Sequence, residues 1–213
     1  MLLVIIGKSG SGKDSVVKEF EKNGWKKIIK YTNRPKRNGE IDGIDYHFVS
    51  INFMEEKSFF SEESFTVASG DTWYYGISSE DLYRSLFTDK KNNYIIIMTP
   101  TEYKKLNKML FAIKGIDYIS AQIDISDDIR KERLIKRGDD IEEIERRIKA
   151  DNKDFESLKL KYRKEEFFFF FFIHDGIGDR TPEDIYNTII EFILADTDAR
   201  REYEYGICKH GKE

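Results

Sequence analysis

The chain opens on Leu2-Leu3-Val4-Ile5-Ile6, five apolar residues without alternation, and runs straight into Gly7-Lys8-Ser9-Gly10-Ser11-Gly12-Lys13. An unbroken apolar run of this length, closed by glycine, predicts a strand buried on both faces. Val16, Val17 and Phe20 then share one side of a helical stretch that Gly24 stops. The turn between strand and helix is a spacing of G-x-x-x-x-G-K. Small residues there let successive backbone N–H groups curl around a polyphosphate, and the helix N-terminus adds positive potential. Lys13 is placed to reach the β- and γ-phosphates. The predicted nucleotide site is therefore Gly7, Lys8, Ser9, Gly10, Ser11, Gly12 and Lys13, with Asp14 and Ser15 following. The residue after the lysine is ordinarily Ser or Thr, a ligand for Mg²⁺; here it is Asp14. A carboxylate is also a hard ligand, but it brings negative charge beside the phosphates, so the metal role of Asp14 stays open.

The rest of the chain alternates in the same manner. Further strands are predicted at Ile28-Ile29, Tyr94 to Met98, Tyr118 to Ile125 and Phe167 to Ile173. Helices are predicted after Thr99-Pro100, from Ser126 to Arg137, from Asp140 through Ile148 and after Thr181-Pro182. Aromatic-rich segments around 59–75 flank Gly70-Asp71, a hairpin pattern. Alternating strands and helices predict an α/β fold, a mostly parallel five-stranded sheet covered on both faces. The six phenylalanines at 167–172 read as a core strand, with an aromatic platform as the alternative.

Composition sets bounds. The chain has 213 residues and a formal charge of −4, yet residues 1–50 hold ten Lys/Arg against six Asp/Glu. A basic quarter on an acidic chain predicts a focused anion site and no nucleic-acid footprint. No apolar run approaches a membrane span, and the opening lacks a basic leader with a small-residue cleavage site. One cysteine, Cys208, excludes an internal disulfide framework, and His47, His174 and His210 do not converge with other ligands in sequence. A cytoplasmic enzyme or binding domain without membrane or nucleic-acid partners is expected, its oligomeric state open, with a polar surface tail at 196–213.

A second anion site is predicted at Tyr31-Thr32-Asn33-Arg34-Pro35-Lys36-Arg37-Asn38-Gly39-Glu40-Ile41-Asp42-Gly43-Ile44-Asp45-Tyr46-His47-Phe48. Arg34 and Arg37 can fork onto one phosphate, and Tyr46 can donate its hydroxyl. This stretch strongly resembles the acceptor-binding segment of the guanylate kinases, T-T-R-x-x-R-x-G-E-x-x-G-x-D-Y-x-F, departing from it only at Asn33. The resemblance implies a three-layer P-loop NTPase fold over residues 1–195, with a core of 1–30, 89–125 and 151–195. It also implies an inserted acceptor region at 31–88 and a lid at 126–150. It assigns the acceptor phosphate to Arg34, Arg37 and Tyr46. Trp73-Tyr74-Tyr75-Gly76 is similar to the family's N-Y-Y-G element, which adds Tyr75. Ile129 to Gly138 resembles the lid, so Arg133, Arg137 and Arg147 join Lys13 as the implied catalytic cations.

The departures cluster on base recognition. The family's guanine-reading serine position holds Lys30, the hydroxyl residue after Y-Y-G is Ile77, and the L-[DE]-I-D strand end reads Ile97-Met98-Thr99. The family's glutamate position, nine residues before Tyr75, is Thr66. Lengthening each hairpin strand by two residues moves it to Glu62, within Phe60-Ser61-Glu62. The resemblance thus implies Mg²⁺-dependent transfer of the γ-phosphoryl group of ATP to a nucleoside monophosphate, most simply GMP or dGMP. Another monophosphate, a sugar phosphate, or a catalytically silent binding domain are the alternatives.

Overall fold

A computed structural model describes residues 1–67, 69–113, 116–159, 170–175 and 179–195. Its centre is a five-stranded sheet made of β1 (Leu2–Gly7), β2 (Lys26–Lys27), β7 (Tyr94–Met98), β8 (Tyr118–Ile125) and β9 (Phe170–Asp175), in the order β2-β7-β1-β8-β9. All the pairings are parallel, with Leu2 beside Tyr94 on one side and beside Tyr118 on the other. Burial of β1 explains its sequence: Leu2, Val4 and Ile6 pack into one layer, Leu3 and Ile5 into the other. Each such side chain withdrawn from water contributes about 1.5–3 kcal/mol, so polar alternation has no place in this strand.

Two helical layers cover the sheet. On one face lies α4 (Pro100–Phe111) with Tyr103, Leu106 and Leu110, joined by Phe155 of α6 (Ile141–Lys159). On the other lie α1 (Lys13–Lys22), with Val16, Val17 and Phe20, and helix α7 at 182–195, with Ile185, Ile189 and Ile193. Starts and stops follow the caps expected of them. Thr99 and Glu102 form a reciprocal capping box ahead of Pro100, Ser126 caps α5 (Asp127–Arg137), and Gly138 ends α5 in the left-handed region.

The segment expected to bind the acceptor carries a sheet of its own, in the order β4-β3-β6-β5: β3 (Tyr31–Thr32), β4 (His47–Phe48), β5 (Phe59–Thr66) and β6 (Thr72–Ser78). Short α2 (Ile51–Glu56) lies between β4 and β5. The hairpin predicted around Gly70-Asp71 is β5–β6. The return leg, α3 (Ser79–Tyr83) and a π turn at Arg84–Thr88, packs Leu82 and Leu86 into the core layer that holds Leu2. Likewise α6 passes without a break from the predicted lid into the core. The strand expected at Phe167 is described from Phe170 onward, where Phe170 pairs with Ser120. Its first three residues and the tail at 196–213 lie outside the described residues. No described helix is long and apolar enough to cross a membrane.

Candidate active site

The chain leaves β1 at the carboxyl end of the sheet, where its neighbours β7 and β8 are reached by connections of opposite direction. Such a point opens a crevice in parallel α/β sheets. The loop Gly7–Lys13 fills its floor. Gly10 and Gly12 have φ of 79° and 91°, a region that disfavours side chains, and Gly12 occupies the N-cap of α1 without a capping side chain. The first N–H groups of α1 are thus left to a ligand. Lys13 Nζ donates to the Lys8 carbonyl at 2.7 Å, inside the loop. Burial lowers the Lys13 pKa, Arg130 and Lys30 push the same way, and Asp14 and Asp151 oppose them. Asp14, on the first turn of α1, lines the same cavity.

The loop between β3 and β4 meets this floor. Arg34 is almost fully buried and held by Glu40 through two parallel bonds, Nη1 to Oε2 at 2.9 Å and Nη2 to Oε1 at 2.8 Å. The Arg37 amide also donates to Glu40, at 2.7 Å. Burial disfavours the charge on Arg34, but the Glu40 carboxylate outweighs it and the pKa rises. Arg34 Nε remains buried without a hydrogen-bond partner among the described residues. A buried donor left over in this way is free to serve a ligand. Arg37 is destabilised as a cation, first by burial and then by Arg34, Arg147 and Arg137 around it. Tyr46 and Tyr75 stand edge to face with ring centroids 5.8 Å apart, and the Arg34 guanidinium lies 5.3 Å from the Tyr46 ring. Burial raises the Tyr46 pKa, so the phenol keeps its proton and can donate. Asn33, the departure from the family segment, accepts the Tyr74 amide at 2.7 Å and ties this loop to β6.

Helices α5 and α6 bring Arg137 and Arg147 to the lining that already holds Lys13, Arg34 and Arg37. Both are set by acids: Arg137 and Arg147 donate to Asp139, and Arg147 Nε donates to Glu143 at 2.6 Å. Arg133 is not part of that lining; its guanidinium sits against Gly12, 3.5 Å from where a Cβ would project. Lys8 faces Asp127 at 3.8 Å, Ser11 is buried and Ser15 is exposed on α1.

One sequence expectation is corrected. Glu62 pairs with Gly76 across the hairpin and points to solvent, whereas Glu63 pairs with Tyr75 and lines the cavity. The register shifts between Phe59 and Ser61, so Phe60 is an extra residue. That shift lies beyond both glutamates; from Thr66–Thr72 to Ser61–Ile77 the pairing is unbroken, so the residue directly opposite Tyr75 shares its face, and that is Glu63, twelve positions back, whereas the expected offset of thirteen lands on the other face. Glu63 is pushed up to about 7 by burial, with the charge of Glu102 adding to it.

Several residues escaped the sequence reading. Arg130, fully buried, donates to the Ser9 carbonyl at 2.7 Å, to Asp127 at 2.6 Å and to Asp151 at 2.6 Å. Asp151 in turn accepts the Ser9 amide at 2.6 Å, so α5 and α6 are both strapped to the phosphate loop. Arg146 lines the cavity beside Arg147 and pairs with Glu143. Only the run of arginines on 130–147 pointed to these residues, and spacing alone does not tell a buried strap from a solvated face. Among the described residues no three of His, Cys, Asp and Glu are grouped to hold a metal. Asp14 beside Lys13 suits an ion that arrives on nucleotide phosphates and needs one or two protein carboxylates, as Mg²⁺ does.

A family model described as guanylate kinase matches residues 1–173. A guanylate kinase of Carboxydothermus hydrogenoformans is 32% identical over 146 residues, 68% of each chain. One from Helicobacter pylori is 29% identical over 164 residues, 74% of this chain and 75% of that one. The crystal structure of guanylate kinase from Anaplasma phagocytophilum superposes with a TM-score of 0.58, covering 92% of this chain and 85% of its own at 17% identity, which shows a shared fold.

Proposed function

The chain belongs to the guanylate kinase family, and from that premise we infer that its cleft transfers the γ-phosphoryl group of ATP to GMP or dGMP. It is a nucleoside monophosphate kinase. The observation that carries the reading is that Lys13 and the glycine loop share one cavity with Arg34, Arg37, Tyr46 and Tyr75. Two phosphate grips on one cavity put a donor and an acceptor within reach of each other.

The acceptor's own phosphate oxygen is the attacking group, so no protein nucleophile is needed. Alignment and charge neutralisation are what the chain supplies. The loop N–H groups and Lys13 hold the donor phosphates, while Arg34 and Arg37 fix the acceptor phosphate, assisted by the Tyr46 and Tyr75 hydroxyls. Glu40 keeps Arg34 in place before the acceptor arrives, which lowers the entropy spent on binding. Arg137 and Arg147, with Arg133 at the mouth of α1, offset charge on the group in flight. Bound Mg²⁺ would supply further neutralisation on the donor phosphates, with Asp14 as this chain's contribution to holding it. Glu63, as a carboxylate, accepts the two N–H groups on the guanine edge. Closure of 126–150 over the acceptor region excludes water.

The test is ADP release with ATP-Mg²⁺ and a panel of GMP, dGMP, AMP, CMP, UMP and a sugar phosphate. GMP and dGMP should lead. Equal rates with every acceptor, or none accompanied by no thermal stabilisation by ATP, would remove the reading.

A further inference from the structure

Ser9 is held at both ends of its own backbone. Its amide donates to Asp151 Oδ2 at 2.6 Å and its carbonyl accepts Arg130 Nε at 2.7 Å. Arg130 Nη2 donates to that same Asp151 oxygen at 2.6 Å, which closes a ring of three bonds. A trans peptide turns its N–H opposite to its C=O. Fixing the Ser9 carbonyl on Arg130 therefore turns the Gly10 N–H away from that guanidinium. Fixing the Ser9 amide turns the Lys8 carbonyl away from Asp151, and this carbonyl receives Lys13 Nζ at 2.7 Å. Arg130 is fully buried, whereas the Asp151 side chain is 22% exposed and lines the cavity. An ion pair taken out of water rarely stabilises a fold by itself, so the ring calls for a use in the cleft. Helix α6 supplies one. Glu143, Arg147, Asp151 and Asp154 recur along it at steps of four, four and three, and all four line the cavity. Arg147 stands one turn before Asp151, about 6 Å along the axis.

We propose that Asp151 is a positioning residue for phosphoryl transfer: by fixing α6 to the Ser9 peptide of the phosphate loop, it sets Arg147 against the terminal phosphate of the donor. This rests on the transferase reading given above. Asp139 and Glu143 hold the Arg147 guanidinium from the α5–α6 turn and from α6 itself. Those bonds orient the group within its own helix pair and leave its distance from the loop unset. Asp151 sets that distance, because one rigid helical turn joins its loop contact to Arg147. Transfer between two phosphates depends steeply on such placement, and a displacement of 1 Å can cost on the order of 100-fold in rate.

The test is a double-mutant cycle on the whole chain, with kcat and both KM values read for Asp151→Ala, Arg147→Ala, the two combined, and Asp151→Asn. Asp151→Ala should lower kcat about 10- to 100-fold and raise the KM for ATP by a smaller factor. Asp151→Asn, whose amide oxygen still accepts from Ser9 and Arg130, should recover most of that loss. In the Arg147→Ala background the change Asp151→Ala should cost less than about threefold, since the group being placed is gone. Equal losses with and without Arg147 overturn the proposal. So does an asparagine variant as impaired as the alanine one, which would mark a role of the charge itself. If Asp151→Ala does not fold, Asp151→Glu takes its place in the cycle, keeping the charge while lengthening the tether. A wild type that transfers nothing would defeat the transferase reading alone. The same cycle is then read from calorimetric affinities for β,γ-methylene ATP and ADP: the preference for the triphosphate should fall with Asp151→Ala where Arg147 is present, and an equal fall without Arg147 overturns the proposal.

Discussion

Glu63 is held half-buried against Thr99 with a carboxyl pushed up to about 7, first by loss of water and then by the Glu102 charge. Two pH dependences follow with defined sign. In the proposed function the guanine edge binds the ionised form of Glu63, so the KM for GMP should fall as pH rises from 6 to 8, with the midpoint near 7 and the KM for ATP flat. Stability runs the other way. A carboxyl whose folded pKa lies above its ordinary 4.5 favours the fold fully below that value and loses this contribution as pH rises through about 7. Glu63→Gln should therefore flatten the decline of Tm between pH 5 and 8, while lowering kcat/KM for GMP about 10- to 100-fold. Glu62→Gln should leave both measurements near wild type. At this scale the sequence was legible where a residue is placed by its own loop, as Lys13, Arg34 and Arg37 are on the lining of the cavity. It was not legible at Glu63, whose facing depends on the exact length of the β5–β6 turn, nor at Glu102, which meets Lys30 across 72 positions.

In the proposed function the element that holds the acceptor is the loop between β3 and β4, which Glu40 ties together. That carboxylate takes three hydrogen bonds, two from Arg34 and one from the Arg37 amide. Glu40→Ala should free both arginines and raise the KM for GMP with little change for ATP. Arg34→Ala and Arg37→Ala should each cost the acceptor about 10- to 100-fold, the range of a charged hydrogen bond, and spare ATP binding. Steady-state kinetics with each substrate varied in turn separates these outcomes; equal losses for both substrates would contradict the assigned roles. The strands and helices of the core were readable because each is specified by its own run of residues: β1 by an unbroken apolar stretch, α5 by Ser126 and Gly138 at its ends. Asn33 was visible as a departure, but its bond to the Tyr74 amide joins two distant segments and leaves no local pattern.

Across the whole molecule, Arg130 is the tie between parts. Its guanidinium reaches the phosphate loop through Ser9, its own helix through Asp127 and the following helix through Asp151. Removing one partner of a buried ion pair typically costs about 3–5 kcal/mol. Arg130→Met should then lower Tm by roughly 6–20 °C, since 1 kcal/mol shifts a chain of this size by about 2–4 °C. The KM for ATP should rise with it, because the same bonds shape the loop; thermal melts with and without ATP read both effects. Nothing in the run of alternating charges from 127 to 151 announces which arginine turns inward.

Arg37 stands amid Arg34, Arg137 and Arg147, and the four guanidinium groups push against one another. On the proposed function a doubly charged guest would turn that repulsion into cohesion, and the acceptor itself would be the clasp that draws Arg137 and Arg147 onto the loop beneath. Nucleosides, which bring the base without the anion, should slip in and out of this cleft without ever fastening it.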